Sequence, residues 1–149
     1  MTRAPSLDDF SAMLQSEGPS AAVAYLNRGV PHRYTAVYKI DGDRLCNVLL
    51  HDKAGEVRPE FLADVAFSDS FCQFVLRDGA FQTGDSANDS RLDGHPYQGV
   101  MVCYYGVPIL DNSAELWGTL CHFDTRQLAL DDASFELLQK AARRFPTSL

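Results

Sequence analysis

The chain has 149 residues, of which 46% are hydrophobic and 22% charged, and these proportions are typical of one globular domain with its own core. The 20 acidic residues outnumber the 13 basic ones, and the net charge of -7 opposes binding to a phosphate backbone, so no nucleic acid partner is expected. No stretch approaches the roughly 18 apolar residues of a membrane span, and the N-terminal residues lack a secretory signal pattern. We therefore expect a cytoplasmic protein without membrane contact.

Residues 1–32 are predicted to form a helical arm that is part of the same domain. Ser6 followed by Asp9 is typical of a helix cap, and apolar residues spaced three or four apart predict a helix that ends at Gly18. A second, shorter helix is predicted from residue 20 to residue 28, where glycine and proline follow. Each helix has an apolar face, which is expected to cover the rest of the domain.

Residues 33–149 are predicted to form the main part of the domain, where the pattern changes to strands. Two runs rich in β-branched and aromatic residues flank Asp41-Gly42-Asp43, a turn typical of a hairpin. Two longer runs, near residues 99–110 and 116–124, are predicted to be the centre of a sheet, and a helix is predicted from residue 132 to residue 145. Strands bracketed by terminal helices predict the α+β class.

The stretch from residue 68 to residue 79 is predicted to be a short helix with Cys72 near its beginning. Ser68 is a suitable N-cap, Phe67 and Cys72 occupy the positions of a hydrophobic staple, and Gly79 is a suitable stop. A thiol near a helix N-terminus has a lowered pKa and is reactive, whereas most free cysteines are inert buried side chains. The inert interpretation is favoured, and because the four cysteines contain no CxxC pair, no metal site or redox couple is predicted.

Four sequence fragments occur in an order that is found in one protein family. They are Ser70-Phe71-Cys72, the polar loop with Asn88-Asp89-Ser90-Arg91, the strand YYGVPI and the strand WGTLCHFD. Together they resemble a GAF domain, most closely the bacterial sensory GAF domains that precede diguanylate cyclases and histidine kinases in signalling proteins. The resemblance covers residues 33 to 145, so residues 33–149 are expected to be a GAF domain that stands alone with its helical arm.

The resemblance implies a GAF/PAS-like fold with an antiparallel sheet of five to six strands and the N- and C-terminal helices on one face. On the other face it implies a small-molecule pocket that is roofed by the short helix and the polar loop. The residues expected to bind the ligand are Phe71, Cys72, Asp85, Asn88, Arg91, His95, Tyr104 and His122. The ligand is an unidentified small molecule, and no cofactor is predicted, because this fold does not fix one chemistry.

Two of these assignments stay open at the level of sequence. Strand alternation places His122 on one face of its strand and Cys121 on the other, without showing which face lines the pocket. Arg91 suits a ligand carboxylate or phosphate, and equally a salt bridge with Asp85 or Asp89 that only holds the loop. A histidine without a spaced partner does not predict a metal or haem site.

The leading prediction is a non-catalytic sensory or regulatory domain of signal transduction. It is expected to bind a small molecule, to form a homodimer through its terminal helices and to act on a separate output protein. One alternative is a thiol-based redox enzyme similar to free methionine-(R)-sulfoxide reductase, with Cys72 as the catalytic residue. The other is a ligand-free dimerisation module. The similarity to the reductase is incomplete, because Tyr104, Cys121 and Phe123 replace three acids and residues 96–98 contain no cysteine.

Overall fold

The computed structural model describes residues 5–58, 60–66 and 70–147, which form one six-stranded antiparallel sheet with helices against both faces. The helices are α1 (Leu7–Glu17), α2 (Pro19–Arg28), α3 (Glu60–Ala63), α4 (Cys72–Asp78) and α5 (Asp132–Ala142). The strands are β1 (Tyr34–Asp41), β2 (Arg44–Asp52), β3 (Asp64–Ala66), β4 (Phe81–Thr83), β5 (Cys103–Leu110) and β6 (Leu116–Asp124). The predicted α+β class and strand number are confirmed. Within these described ranges, no helix has the length and apolar character that crossing a membrane requires.

The sheet consists of two hairpins joined at its centre. The strand order is β3-β2-β1-β6-β5-β4, and every neighbouring pair is antiparallel. The turn between β1 and β2 contains Gly42 with φ of 62°, a left-handed conformation that glycine adopts without strain. The predicted hairpin turn is therefore confirmed. β1 also pairs with β6, from Tyr34 opposite Phe123 to Lys39 opposite Gly118.

The N- and C-terminal helices cover one face of the sheet, which we call the helix side. The predicted cap of α1 is confirmed, because the Ser6 side chain accepts a hydrogen bond from the Asp9 N–H at 3.1 Å. Phe10 of α1 packs against Phe145, with ring centroids 6.4 Å apart, so the two ends of the chain meet. Side chains buried on this side include Phe10, Val23, Leu26, Val37, Val107, Leu120 and Leu138. Phe10 of α1 and Val23 and Leu26 of α2 thus belong to the same buried cluster as the central strands.

Helix α4 and the polar loop after β4 lie on the opposite face, which we call the roof side. α4 begins at Cys72, and Phe71 occupies the cap position in a helical conformation, without a side-chain hydrogen bond. The helix ends as predicted at Gly79, whose φ of 83° suits the left-handed residue after a helix. The predicted cap at Ser68 and the staple with Phe67 lie outside the described residues.

Candidate functional site

A small cavity lies between the sheet and α4 on the roof side. Its volume is about 60 Å³. The residues around it are Tyr38, Leu62, Val65, Ser70, Phe71, Cys72, Tyr97, Met101, Tyr104 and Phe123. Because roughly 10–15 Å³ is the least that a single water molecule requires, the cavity has room for a small chemical group.

Tyr104 forms the floor of the cavity, because its ring lies on the sheet over Gly106. A Cβ atom at Gly106 would stand 2.5 Å from Tyr104 Cε1 and 2.5 Å from the Tyr104 hydroxyl oxygen, so only glycine leaves room for the ring. The hydroxyl lies 3.1 Å from Cys72 Sγ. Burial raises the pKa of Tyr104 well above its usual value, and the side chain is therefore a neutral hydrogen-bonding group.

Cys72 is a buried and protonated thiol. Its Sγ lies 3.1 Å from Tyr104 Oη and 3.2 Å from Thr119 Oγ1, and the residue is only 4% exposed. Burial raises the pKa of the thiol, and the hydrogen bonds with Thr119 and Tyr104 offset this only in part. Burial likewise raises the pKa of Cys121, the next thiol on the roof side. Neither of these two thiols is activated, and Cys72 serves as a wall of the cavity.

Tyr38 and Thr119 belong to the site although neither was predicted there. They stand opposite each other where β1 pairs with β6. The Tyr38 hydroxyl donates a hydrogen bond to the Leu62 carbonyl at 2.8 Å, which fixes α3 as a side wall. The position of Thr119 could have been found from the sequence, because alternate residues of a strand point to the same face and Thr119 is two residues before Cys121 in β6. For Tyr38 no local signal existed, because its place depends on the pairing of two distant strands.

Asp85, Asn88 and Arg91 stabilise the polar loop and do not line the cavity. Asn88 Nδ2 donates a hydrogen bond to Asp85 Oδ2 at 2.6 Å. Arg91 donates to both carboxylate oxygens of Asp89, at 2.9 and 2.5 Å, and its guanidinium lies 4.6 Å from the centre of the Phe81 ring. The hydrogen bonds from Arg91 lower the pKa of Asp89 to about 2. Of the two interpretations of Arg91, the internal salt bridge is the one present in the structure.

His95 links the polar loop to the beginning of α4, behind the cavity wall. Its Nδ1 accepts a hydrogen bond from the Tyr97 N–H at 3.1 Å, which leaves Nε2 to donate to the Ser70 carbonyl at 3.2 Å. The imidazole packs on the Phe71 ring, with centroids 4.6 Å apart. Phe71 lines the cavity and His95 supports it from behind.

His122 lies on the helix side, which corrects its expected place in the pocket. Cys121 packs with the roof-side residues, whereas His122 Nδ1 lies 2.6 Å from Thr35 Oγ1 in the buried layer beneath the helices. Burial, with smaller contributions from His32 and Lys53, lowers the pKa of His122 to about 3. His122 is therefore neutral near pH 7, and the sheet separates it from Tyr104 and the cavity.

Substitution of Gly106 by alanine is expected to displace the Tyr104 ring from the floor of the cavity. Because the new Cβ meets a buried ring, we expect the free energy of unfolding to fall by about 1–3 kcal/mol, measured by urea denaturation. In a Tyr104→Ala background the substitution has no ring to displace, so its effect should be less than half as large. An equal effect in both backgrounds would show that the Tyr104 ring is not the obstacle.

Comparison with known proteins identifies similar structures. No model of a protein family and no curated protein matches the chain. The GAF domain of a phosphoenolpyruvate-protein phosphotransferase from Acinetobacter is similar to it with a TM-score of 0.73 and 13% identity, over 93% of this chain and 86% of that chain. Free methionine-R-sulfoxide reductase from Neisseria meningitidis, in complex with its substrate, is similar with a TM-score of 0.72 and 15% identity. The match covers 92% of this chain and 81% of the reductase chain.

A third similar structure is the phycocyanobilin-bound GAF domain of a cyanobacterial phytochrome. Its TM-score is 0.69 at 15% identity, over 91% of this chain and 87% of that chain. Identities this low establish the fold without establishing a ligand or an activity. Each of the three structures covers more than nine tenths of this chain, so the protein has the fold of GAF domains, as the sequence fragments predicted. The special likeness to the GAF domains of diguanylate cyclases and histidine kinases stays a prediction.

Proposed function

We propose that the protein is a non-catalytic sensory or regulatory GAF domain that binds a small molecule in the cavity beneath α4. The observation that carries the proposal is the cavity itself, which is preformed and lined mostly by apolar and aromatic side chains. Two of the similar structures contain small molecules, phycocyanobilin in the cyanobacterial domain and the substrate in the reductase. The ligand of this protein is expected to be much smaller than a bilin, because the cavity volume is only about 60 Å³.

The chemistry of the cavity supports binding rather than catalysis. Reduction of a sulfoxide by a thiol requires a thiolate to attack and an acid to protonate the leaving oxygen. Burial raises the pKa of both Cys72 and Tyr104, so that both side chains keep their protons near pH 7. Among the described residues that line the cavity there is no carboxylate and no histidine. These are the properties of a binding pocket.

A sensory role requires that occupancy of the cavity change another part of the molecule. Tyr104 on the roof side is followed in β5 by Tyr105 on the helix side, whose hydroxyl donates to the Leu128 carbonyl at 2.7 Å. Leu128 precedes α5, and beyond α5 Arg144 donates to Ser11 Oγ of α1 at 2.9 Å. These contacts connect the cavity to the terminal helices. We propose in addition that these helices form a homodimer interface and act on a separate signalling protein in a bacterial cytoplasm.

Native mass spectrometry of protein purified gently from its producing cells tests the proposal directly. We expect the mass of a dimer that carries a bound small molecule, and we expect this molecule to be released on denaturation. The measurement gives the oligomeric state and the ligand mass together. A dimer that remains free of ligand across purifications from different growth conditions would instead support the ligand-free dimerisation module.

Substitution of Cys72 by serine is expected to leave the bound molecule in place. A serine hydroxyl keeps a hydrogen-bonding group beside Tyr104 and Thr119, so retention of the ligand should change by less than about threefold. Cys46→Ser, at the half-buried cysteine of β2, is the matched control. A thiol-dependent reduction of methionine sulfoxide that is present in the wild type and the control, but lost in Cys72→Ser, would establish the redox enzyme instead.

A further inference from the structure

We propose that the ligand carries a quaternary ammonium group, which the aromatic rings of the cavity hold by cation–π contact. This inference rests on the proposed function, because it names the chemical class of the molecule that the cavity binds. Five of the ten residues around the cavity are aromatic, namely Tyr38, Phe71, Tyr97, Tyr104 and Phe123. An aromatic cage of this kind attracts a cation, because the face of each ring carries partial negative charge.

The arrangement of the rings provides faces as well as edges. The Tyr104 ring lies over Gly106 and lines the cavity. The Phe123 ring is its neighbour, with centroids 6.4 Å apart and planes inclined by 27°, and Tyr34 stacks on Phe123 with centroids 5.0 Å apart. Phe71 stands nearly perpendicular to Tyr104, at 80°, and forms a wall. A cation in the cavity therefore lies among rings of more than one orientation, which is the setting of a cation–π contact.

The polar groups of the cavity are already engaged with one another. The Tyr38 hydroxyl donates to the Leu62 carbonyl at 2.8 Å, and the Tyr104 hydroxyl and the Cys72 thiol are hydrogen-bonded to each other at 3.1 Å. A primary ammonium group brings three N–H donors that need acceptors, and a carboxylate or phosphate needs several donors or a cation. Among the described lining residues no side chain is charged. A quaternary ammonium group has no N–H and therefore requires no hydrogen-bond partner.

Size and charge agree with the same class of ligand. A trimethylammonium group is compact and nearly spherical, which suits a cavity of about 60 Å³. Its charge is spread over the methyl groups, so it loses less hydration on burial than a primary ammonium group does. The net charge of -7 attracts cations to the protein from a distance and repels anionic ligands.

The test compares choline with dimethylbutanol, its uncharged carbon analogue, in which a tert-butyl group replaces trimethylammonium. The two molecules have the same shape, so their difference in affinity isolates the effect of the charge. In titrations of the full chain, followed by calorimetry or by NMR shifts, we expect choline to bind at least about tenfold more tightly. Tyr104→Leu should reduce choline binding by about tenfold, while Tyr104→Phe, which keeps the ring, should change it by less than about threefold.

The outcomes separate this inference from the proposed function. Equal or tighter binding of dimethylbutanol would overturn the quaternary ammonium class and leave a small-molecule pocket. Release of an anionic or neutral molecule in the native mass spectrum would also overturn the quaternary ammonium class and leave a small-molecule pocket. Failure of both probes to bind, together with a ligand-free native mass, would overturn the pocket and the inference together. Circular dichroism of Tyr104→Leu checks that this variant is folded, so that lost binding reflects the missing ring. A comparison of Tyr38→Phe with Tyr38→Leu tests a second aromatic ring of the cavity in the same way.

Discussion

Substitution of Gly118 by alanine is expected to lower the free energy of unfolding by about 3 kcal/mol or more, the largest effect of any single methyl group considered in this protein. Gly118 lies in β6, where it is opposite Lys39 of β1. A Cβ atom there would stand 2.0 Å from the Tyr38 carbonyl oxygen and 3.0 Å from the carbonyl carbon. These are backbone atoms of a central strand, so no side-chain rotation relieves the clash and the pairing of β1 with β6 must open.

Gly84→Ala is the matched control for this substitution. The nearest atom to a Cβ at Gly84 is the Tyr105 hydroxyl oxygen at 3.2 Å, at the end of a side chain that moves by a few tenths of an ångström. We therefore expect its effect in urea denaturation to be below about 1.5 kcal/mol. If Gly118→Ala lost no more stability than Gly84→Ala, the close approach of β6 to the Tyr38 backbone would be refuted.

Acidification from pH 7 to pH 5 is expected to reduce the free energy of unfolding by about 2 kcal/mol through His122 alone. Burial holds the pKa of His122 at about 3 in the folded protein, whereas the unfolded chain has the ordinary value near 6.5. The unfolded state therefore binds more protons, and stability is lost as the pH falls below about 6.5. His32, which is fully buried, also has a pKa lowered mainly by burial and adds to the loss.

The groups around His122 leave this direction unchanged. Its Nδ1 contacts the neutral Thr35 hydroxyl, and the nearby cationic Lys53 opposes its protonation. Urea denaturation at both pH values measures the difference. His122→Gln should remove most of the stability difference between pH 7 and pH 5. His51→Gln, at a half-buried histidine of β2, should preserve most of this difference. An undiminished loss in His122→Gln would assign the acid sensitivity to other groups.

Local sequence patterns predicted those elements whose cause is local. The cap at Ser6, the hairpin at Gly42 and the helix end at Gly79 each depend on a few neighbouring residues, and all three are present in the structure. The two long strands were also predicted, because β5 and β6 are runs of mainly apolar and aromatic residues that are separated by a turn. In these cases the side chains that determine the structure are adjacent in the chain.

The candidate site was predicted less well, because its members come together only through long-range packing. The period of two in β6 separates His122 from Cys121 but does not say which of them faces the helices. The position of Cys72 at a helix start suggested a lowered pKa, whereas burial in the folded core raises it, although the hydrogen bonds with Thr119 and Tyr104 act in the opposite direction. Only the tertiary structure determines the sign of that shift.

The pairing of β1 with β6 also determines the order in which the molecule assembles. Each hairpin closes over a short loop, but Lys39 meets Gly118 only after most of the chain has been brought together, which costs more entropy and takes longer. Tyr38 belongs to one hairpin, and Tyr104 and Phe123 belong to the other. The aromatic cavity therefore forms at the late step that joins the hairpins, and a molecule bound there ties the two halves of the sheet together and slows their separation.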